Sequence, residues 1–253
     1  MTAEFKGKPL IKISKNTPSY NFLEGDFGKE MLKEYNSNVK SKYKDNFNLK
    51  VLTFWDNLVK GSNIPSVVLM NQILSNFNIR TANSVDVQKI IIYDKDFLKN
   101  SYVDLGVVLR NENGTNEYGA NEYLARELAK QAKDRKYEFS NSNPLVFKPS
   151  DLELTLDNNS PSGLGFNIKD SANPFNAFQL SNKNNNKKFN TTDEKGMPFF
   201  DEDENRTNYT RENGLSRFSL VRYSLLCSDY LNLSDSVDDG RIVVFNDTKG
   251  GKK

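Results

Sequence analysis

Histidine is absent from this chain, cysteine and tryptophan occur once each, and no apolar run approaches the length of a membrane span. Without imidazole there is no Ser-His or Cys-His nucleophile pair, no histidine general base and no His-ligated metal. The lone Cys227 rules out an intramolecular disulfide and every multi-cysteine metal site. Any enzyme built on this sequence would have to work with carboxylates, Lys, Tyr or hydroxyls. Net charge is scarce as well: 35 Lys and Arg against 33 Asp and Glu leave +2, too little to specify nucleic acid or an anionic membrane as the main partner. The first 16 residues, MTAEFKGKPLIKISKN, carry charges every few positions and offer no signal-peptide core. The expectation is a polypeptide made in soluble form, with no membrane insertion, no cofactor and no resident metal.

A second scarcity is local. From Gly214 to Thr248 there is no Lys, Glu, Gln, Met or Trp, although these types make up roughly a fifth of the chain. A random stretch of that length would lack all five on the order of once in a thousand trials. The residues that remain, GLSRFSLVRYSLLCSDYLNLSDSVDDGRIVVFNDT, are all types that codons ending in C can encode. Such codons never specify the five missing types or a stop, and adenine-directed mutagenesis of AAC or AAT codons leaves this composition behind. A β-rich, turn-rich end of a domain, favouring Ser, Asp, Tyr and Val over helix formers, is the competing account.

Periodicity divides the chain near position 80. Residues 22–44 and 49–60 carry helix-like spacing, and Pro65 opens a third amphipathic helix over SVVLMNQILSNF. IKIS, at 11–14, is a strand candidate stopped by Asn16-Thr-Pro-Ser. The first 80 residues thus form a mostly helical support region with no visible chemistry. Beyond it, SVDVQKIIIYDKDF and SYVDLGVVLRNE run apolar or alternate like strands, and 116–136 has the clearest helical face, through Tyr123, Leu124, Leu128 and Ala132. Short strands are expected at 144–147, 152–156 and across GLGFNIKD, with the turn Asn158-Asn-Ser-Pro-Ser-Gly between the last two. NKNNNKK at 182–188 and the acidic run at 193–213 read as loops, and GRIVVF is the last strand. The predicted class is α+β, with a domain over 81–248.

Candidate chemistry is thin. Asp193, Glu194, Asp201, Glu202, Asp203 and Glu204 offer oxygen ligands but lack the ligand spacing and mid-loop Gly of an EF-hand. A carboxylate-dependent hydrolase using this acidic run is an alternative that spacing alone does not establish. SGLGF at 162–166 has no strand-loop-helix frame for phosphate and reads as a hairpin turn. Between Ser219 and Asp239 the pattern differs. Leu220, Leu226, Leu233 and Ile242 stand out as apolar anchors, while Phe218, Val221, Arg222, Tyr223, Cys227, Asp229, Tyr230, Asn232, Asp235, Val237 and Asp238 are the candidate surface, about 217–239. Tyr, Ser, Asn and Asp are the residues that binding loops use, and five of the nine Arg fall between Arg206 and Arg241. The partner expected for such a surface is a protein ligand; nucleic acid is not indicated.

The order NRTNYTRENGLSRFSL followed by LSDSVDDGRIVVF resembles the C-terminal portion of variable proteins diversified by retroelements. That resemblance covers the last 60 or so residues in detail, with GRIVVF matching the strand that closes the variable stretch. It implies a C-type-lectin-like domain, a non-enzymatic ligand-binding role, and a reverse transcriptase with a near-identical template repeat close to the gene. A viral structural or receptor-binding component is the alternative that overlaps with this one.

Overall fold

The computed structural model describes residues 4–5, 8–9, 19–94, 96–113, 119–181, 187–188, 191–192, 198–199, 207–210, 214–221, 225–229 and 232–246. Within them the chain is a mixed α and β fold. Two short strands, β1 (Glu4–Phe5) and β2 (Lys8–Pro9), pair with each other, and β3 (Tyr20–Phe22) leads into α1 (Gly25–Lys42). Met31, Leu32, Tyr35 and Val39 repeat at helical spacing on α1, and all four are buried. β4 (Thr53–Trp55) and β5 (Leu58–Lys60) make a hairpin, and α2 (Ile64–Leu74) follows. The side chain of Asn63 caps α2 by accepting from the Ser66 amide, the Ser66 hydroxyl accepts in return from the Asn63 amide, and Pro65 sits in the first turn. Apart from Gln72, every residue of α2 is buried, so this helix is a central strut.

After β6 (Ile79–Thr81) comes α3 (Ser84–Tyr93), then β7 (Tyr102–Leu109), α4 (Gly119–Asp134) and β8 (Leu145–Phe147). β9 (Leu152–Leu156) and β10 (Leu164–Ile168) form a second hairpin, followed by β11 (Phe175–Asn176). Short pieces come next: β12 (Lys187–Lys188), β13 (Thr191–Thr192), β14 (Pro198–Phe199) and β15 (Thr207–Thr210). β16 (Leu215–Val221), β17 (Leu225–Asp229) and β18 (Val243–Asn246) complete the chain. The main sheet has seven strands in the order β11-β8-β7-β16-β17-β15-β12, antiparallel except for the β15/β17 pair. Both of its faces are covered. Val107, Leu109 and Leu215 point into one core with α1, α2 and α4, while Leu105, Val108 and Phe218 join Val87, Ile90 and Ile91 of α3 in a second.

Several expectations need correction. Residues 84–93 are helical rather than extended, because Asn83 and Asp86 form a reciprocal cap and Val87, Ile90 and Ile91 fall on one buried helical face. Residues 53–60 form a hairpin rather than a helix. Its turn, Asp56-Asn57, holds both residues in the left-handed region, at φ 53° and 62°, the twist that a two-residue hairpin needs. Thr207–Thr210, within the stretch expected to be a loop, is a strand paired with β17. Lys187–Lys188, at the end of another expected loop, pairs with β15.

Packing does not break at position 80. β18 lies between β3 and β6, and the core that contains α1 and α2 continues through α4, β8, β9 and β10. The expected strand at 11–14, the stop at 16–19 up to Pro18, the first residues of the 116–136 helix (116–118), the loop at 182–186 and the acidic residues at 193–194 and 201–204 lie outside the described residues. No described helix is long and apolar enough to cross a membrane.

Candidate functional site

The compositionally unusual segment divides into two structural parts. Its first part is strand. β16 is buried from Leu215 to Leu220, with Val221 half-buried, and Phe218 is only 1% exposed in the second core. Cys227 on β17 is buried as well. These two placements correct the solvent-facing assignment of Phe218 and Cys227: Phe218 packs in the second core, and Cys227 is 7% exposed on the strand beside it. Arg110, at the end of β7, ties this part together. Its guanidinium is fully buried and donates to the hydroxyls of Ser216 and Ser228 (2.6 Å for the latter) and to the Leu180 carbonyl at 2.7 Å. Burial pushes Arg110 down to about 9, still protonated at neutral pH.

The second part, residues 232–241, is an irregular arch between β17 and β18. Asp235, Val237 and Asp238 are exposed, Val237 by 61%. Their main chain is nonetheless tightly held. The Arg217 Nη1 donates to the Asp235 carbonyl (3.0 Å), the Val237 amide donates to the Tyr102 hydroxyl (3.2 Å), and Asn63 Nδ2 donates to the Ser234 carbonyl (2.8 Å). At the arch's two ends, the Ile64 amide bonds the Leu233 carbonyl and the Gly61 amide bonds the Gly240 carbonyl. Asn121 Oδ1 accepts from the Leu233 amide, and the Tyr102 main chain bonds both Asp239 and Arg241. Three arch side chains serve the arch itself. Asn232 Oδ1 accepts from the Ser234 amide, and Ser236 Oγ accepts from the Ser62 amide. Arg241 Nη1 donates to the Asp238 (2.6 Å) and Gly240 carbonyls. Asn232, a candidate contact residue, is therefore also a turn former.

Beneath the arch lies a buried ion pair. Arg217 donates through Nε to Asp104 Oδ1 and through Nη2 to Asp104 Oδ2 at 2.7 Å, while its guanidinium carbon sits 4.8 Å from the centre of the Tyr102 ring. Burial alone would draw the guanidinium's pKa down. The Asp104 carboxylate and its hydrogen bonds more than offset this and hold it above the usual arginine range. The second oxygen of Asp104 also accepts from the Ser62 hydroxyl at 2.5 Å. A β-bulge assembles the pair. Arg217 faces Val107 across the ladder, but the register slips between Phe218 and Ser219, so Ser219 faces Asp104. Directly opposed residues share a face, so the extra residue at Leu105 puts Asp104 on the same face as Arg217. Gly106, in the bulge, has φ +137°, and a Cβ there would lie 2.0 Å from the Phe147 carbonyl oxygen.

Asp229 belongs to β17, where its backbone pairs with Arg217, and its side chain lies outside the described residues, as do Arg222, Tyr223 and Tyr230. Sequence reasoning missed Tyr102, Asp104, Ser62, Asn63 and Asn121. The visible signal was Asp104, a single carboxylate inside the apolar run SYVDLGVVL, since a buried charge requires a partner. Ser62 and Asn63 also give the first 80 residues a direct role at the site. Among the described residues no group of His, Cys, Asp and Glu is placed to hold a metal ion. In comparisons with protein-family models, curated proteins and solved structures, nothing matches this chain.

Proposed function

We propose that this chain is a non-enzymatic ligand-binding protein whose arch at 232–241, with Arg222, Tyr223 and Tyr230 of the same segment, forms a binding surface diversified by a retroelement. The observation that carries this reading is the division of labour in the arch. Main-chain atoms of Leu233, Ser234, Asp235, Val237, Asp239 and Gly240 are held by residues outside it, whereas the side chains of Asp235, Val237 and Asp238 face solvent. Side chains at such positions change without removing a bond that shapes the loop, which is what a diversified surface requires. The codon-like restriction of composition over 214–248 falls on the same stretch. The finer fold we assign to the domain is C-type-lectin-like, supported by the closing strand of GRIVVF lying directly after the arch, as in the family that the segment resembles.

The partner we assign is a protein, because the exposed arch combines carboxylates with a half-exposed to exposed apolar side chain and offers no basic field. The test is genetic. The codons for 214–240 and the flanking DNA are read for a near-copy of the segment. A near-repeat differing mainly where it carries adenine, beside a reverse-transcriptase gene, is the expected result; the absence of any repeat would remove diversification from the reading.

A further inference from the structure

We infer that Arg217 and Tyr102 are positioning residues that fix the shape of the arch independently of the side chains at 235, 237 and 238. This inference deepens the proposed function and rests on it for its biological meaning, although the structural claim stands on geometry alone. Arg217 spends every part of its fork. Nε and Nη2 engage the two oxygens of Asp104, Nη2 also reaches the Ser62 carbonyl (3.2 Å), and Nη1 crosses to the Asp235 carbonyl. Tyr102 continues the same framework. Its hydroxyl donates to the Ser62 carbonyl (2.5 Å) and accepts from the Val237 amide.

Asp235 and Val237 are thus each gripped by a main-chain atom while their side chains leave toward solvent. The grip originates in residues of the core, not in the arch. Arg217 is 5% exposed, Asp104 1% and Tyr102 6%, so substitution at 235, 237 or 238 does not disturb the gripping groups. The packing beneath leaves no slack. A Cβ on Gly240 would lie 2.6 Å from the Tyr102 hydroxyl oxygen and 2.7 Å from the Ser62 nitrogen. A lysine at 217 has a single ammonium on a flexible stem and does not hold a carboxylate and two separate carbonyls at once. The exposed arch positions 235, 237 and 238 are therefore free to vary, whereas 232, 233, 236, 240 and 241 are held to their present residues.

The experiment compares small libraries, randomised only at 235, 237 and 238, in three full-length backgrounds: unaltered, Tyr102→Phe and Arg217→Lys. Two quantities are read, the spread of thermal midpoints across library members and, in the unrandomised parent of each background, the hydrogen-exchange rate of the Val237 amide. In the unaltered background the midpoints are expected to cluster within about 2 °C, as surface changes do. In Tyr102→Phe and Arg217→Lys the spread is expected to widen at least about twofold, and the Val237 amide to exchange at least about tenfold faster. A residue with only a general structural role would lower the mean midpoint and leave the spread unchanged, and that result overturns the inference. An equally broad spread in the unaltered background also overturns it. If Arg217→Lys does not fold, Tyr102→Phe, which removes one oxygen, decides alone. Failure to find a template repeat near the gene would sink diversification yet leave this outcome untouched, so the two are separable.

Discussion

The strand part and the arch of the 214–248 segment share one peculiar composition and obey opposite rules. On β16 and β17 the side chains carry the structure: Phe218, Leu220 and Leu226 fill the second core, and Ser216 and Ser228 satisfy Arg110. In the arch the main chain carries it, and the side chains at 235, 237 and 238 are left to solvent. Composition alone therefore does not identify a binding surface; what distinguishes the two parts is which atoms of each residue are in use.

That contrast can be broken experimentally, and the largest effect is expected on the strand side. Phe218→Ala should cost about 3–5 kcal/mol in urea unfolding, the range for truncating a buried aromatic, and a cost near zero would return Phe218 to the surface. Asp104→Asn leaves the Arg217 guanidinium buried without its counter-charge, and a loss of about 3–5 kcal/mol is expected by the same measurement; a neutral outcome would mean that the pair does not form. Gly240→Ala should cost about 1–3 kcal/mol through overpacking against Tyr102 and Ser62, read as a lowered thermal midpoint. The smallest effects belong to the arch. Val237→Ser and Asp238→Asn should each stay within about 0.5 kcal/mol of the parent. A thiol reagent sharpens the comparison from the other side: Cys227 should react slowly in the native protein and fast in denaturant, whereas equal rates would place it at the surface.

Much of the helical framework was legible. The helices at 25–42, 64–74 and 119–134 were legible, from a Lys/Glu-spaced pattern, from Pro65 in the first turn and from an apolar face respectively, but the helix at 64–74 is buried all round except at Gln72 and is not amphipathic as expected. Residues 84–93 misled because the run KIIIY is β-branched and reads as strand, while the decisive information lay in a cap, Asn83 with Asp86. The hairpin at 53–60 was hidden because its turn uses Asp56-Asn57 instead of a glycine pair. At the site, Asp235, Val237 and Asp238 were recoverable as interruptions between Leu233 and Ile242. Phe218 and Cys227 were not, since burial on both faces of a sheet erases the alternation that would have separated inside from outside. That Asp104 needs a partner was visible in the sequence, but which partner was not, because a bulge, a property of two strands together, brings Asp104 to the face of Arg217.

The placement of β18 between β3 and β6 has a consequence for how the protein is made. The middle strand of that sheet is 243–246, whereas its neighbours are 20–22 and 79–81, so ribosomes emit both edges long before the strand that joins them. Closing that sheet requires contacts between distant parts of the chain, which makes folding slow, and the early residues wait with unmatched edges until synthesis has passed the arch. A copy interrupted anywhere in the arch lacks the strand that joins β3 to β6. The three-stranded sheet of β3, β18 and β6 is thus completed only once reading has continued through the arch to residue 246.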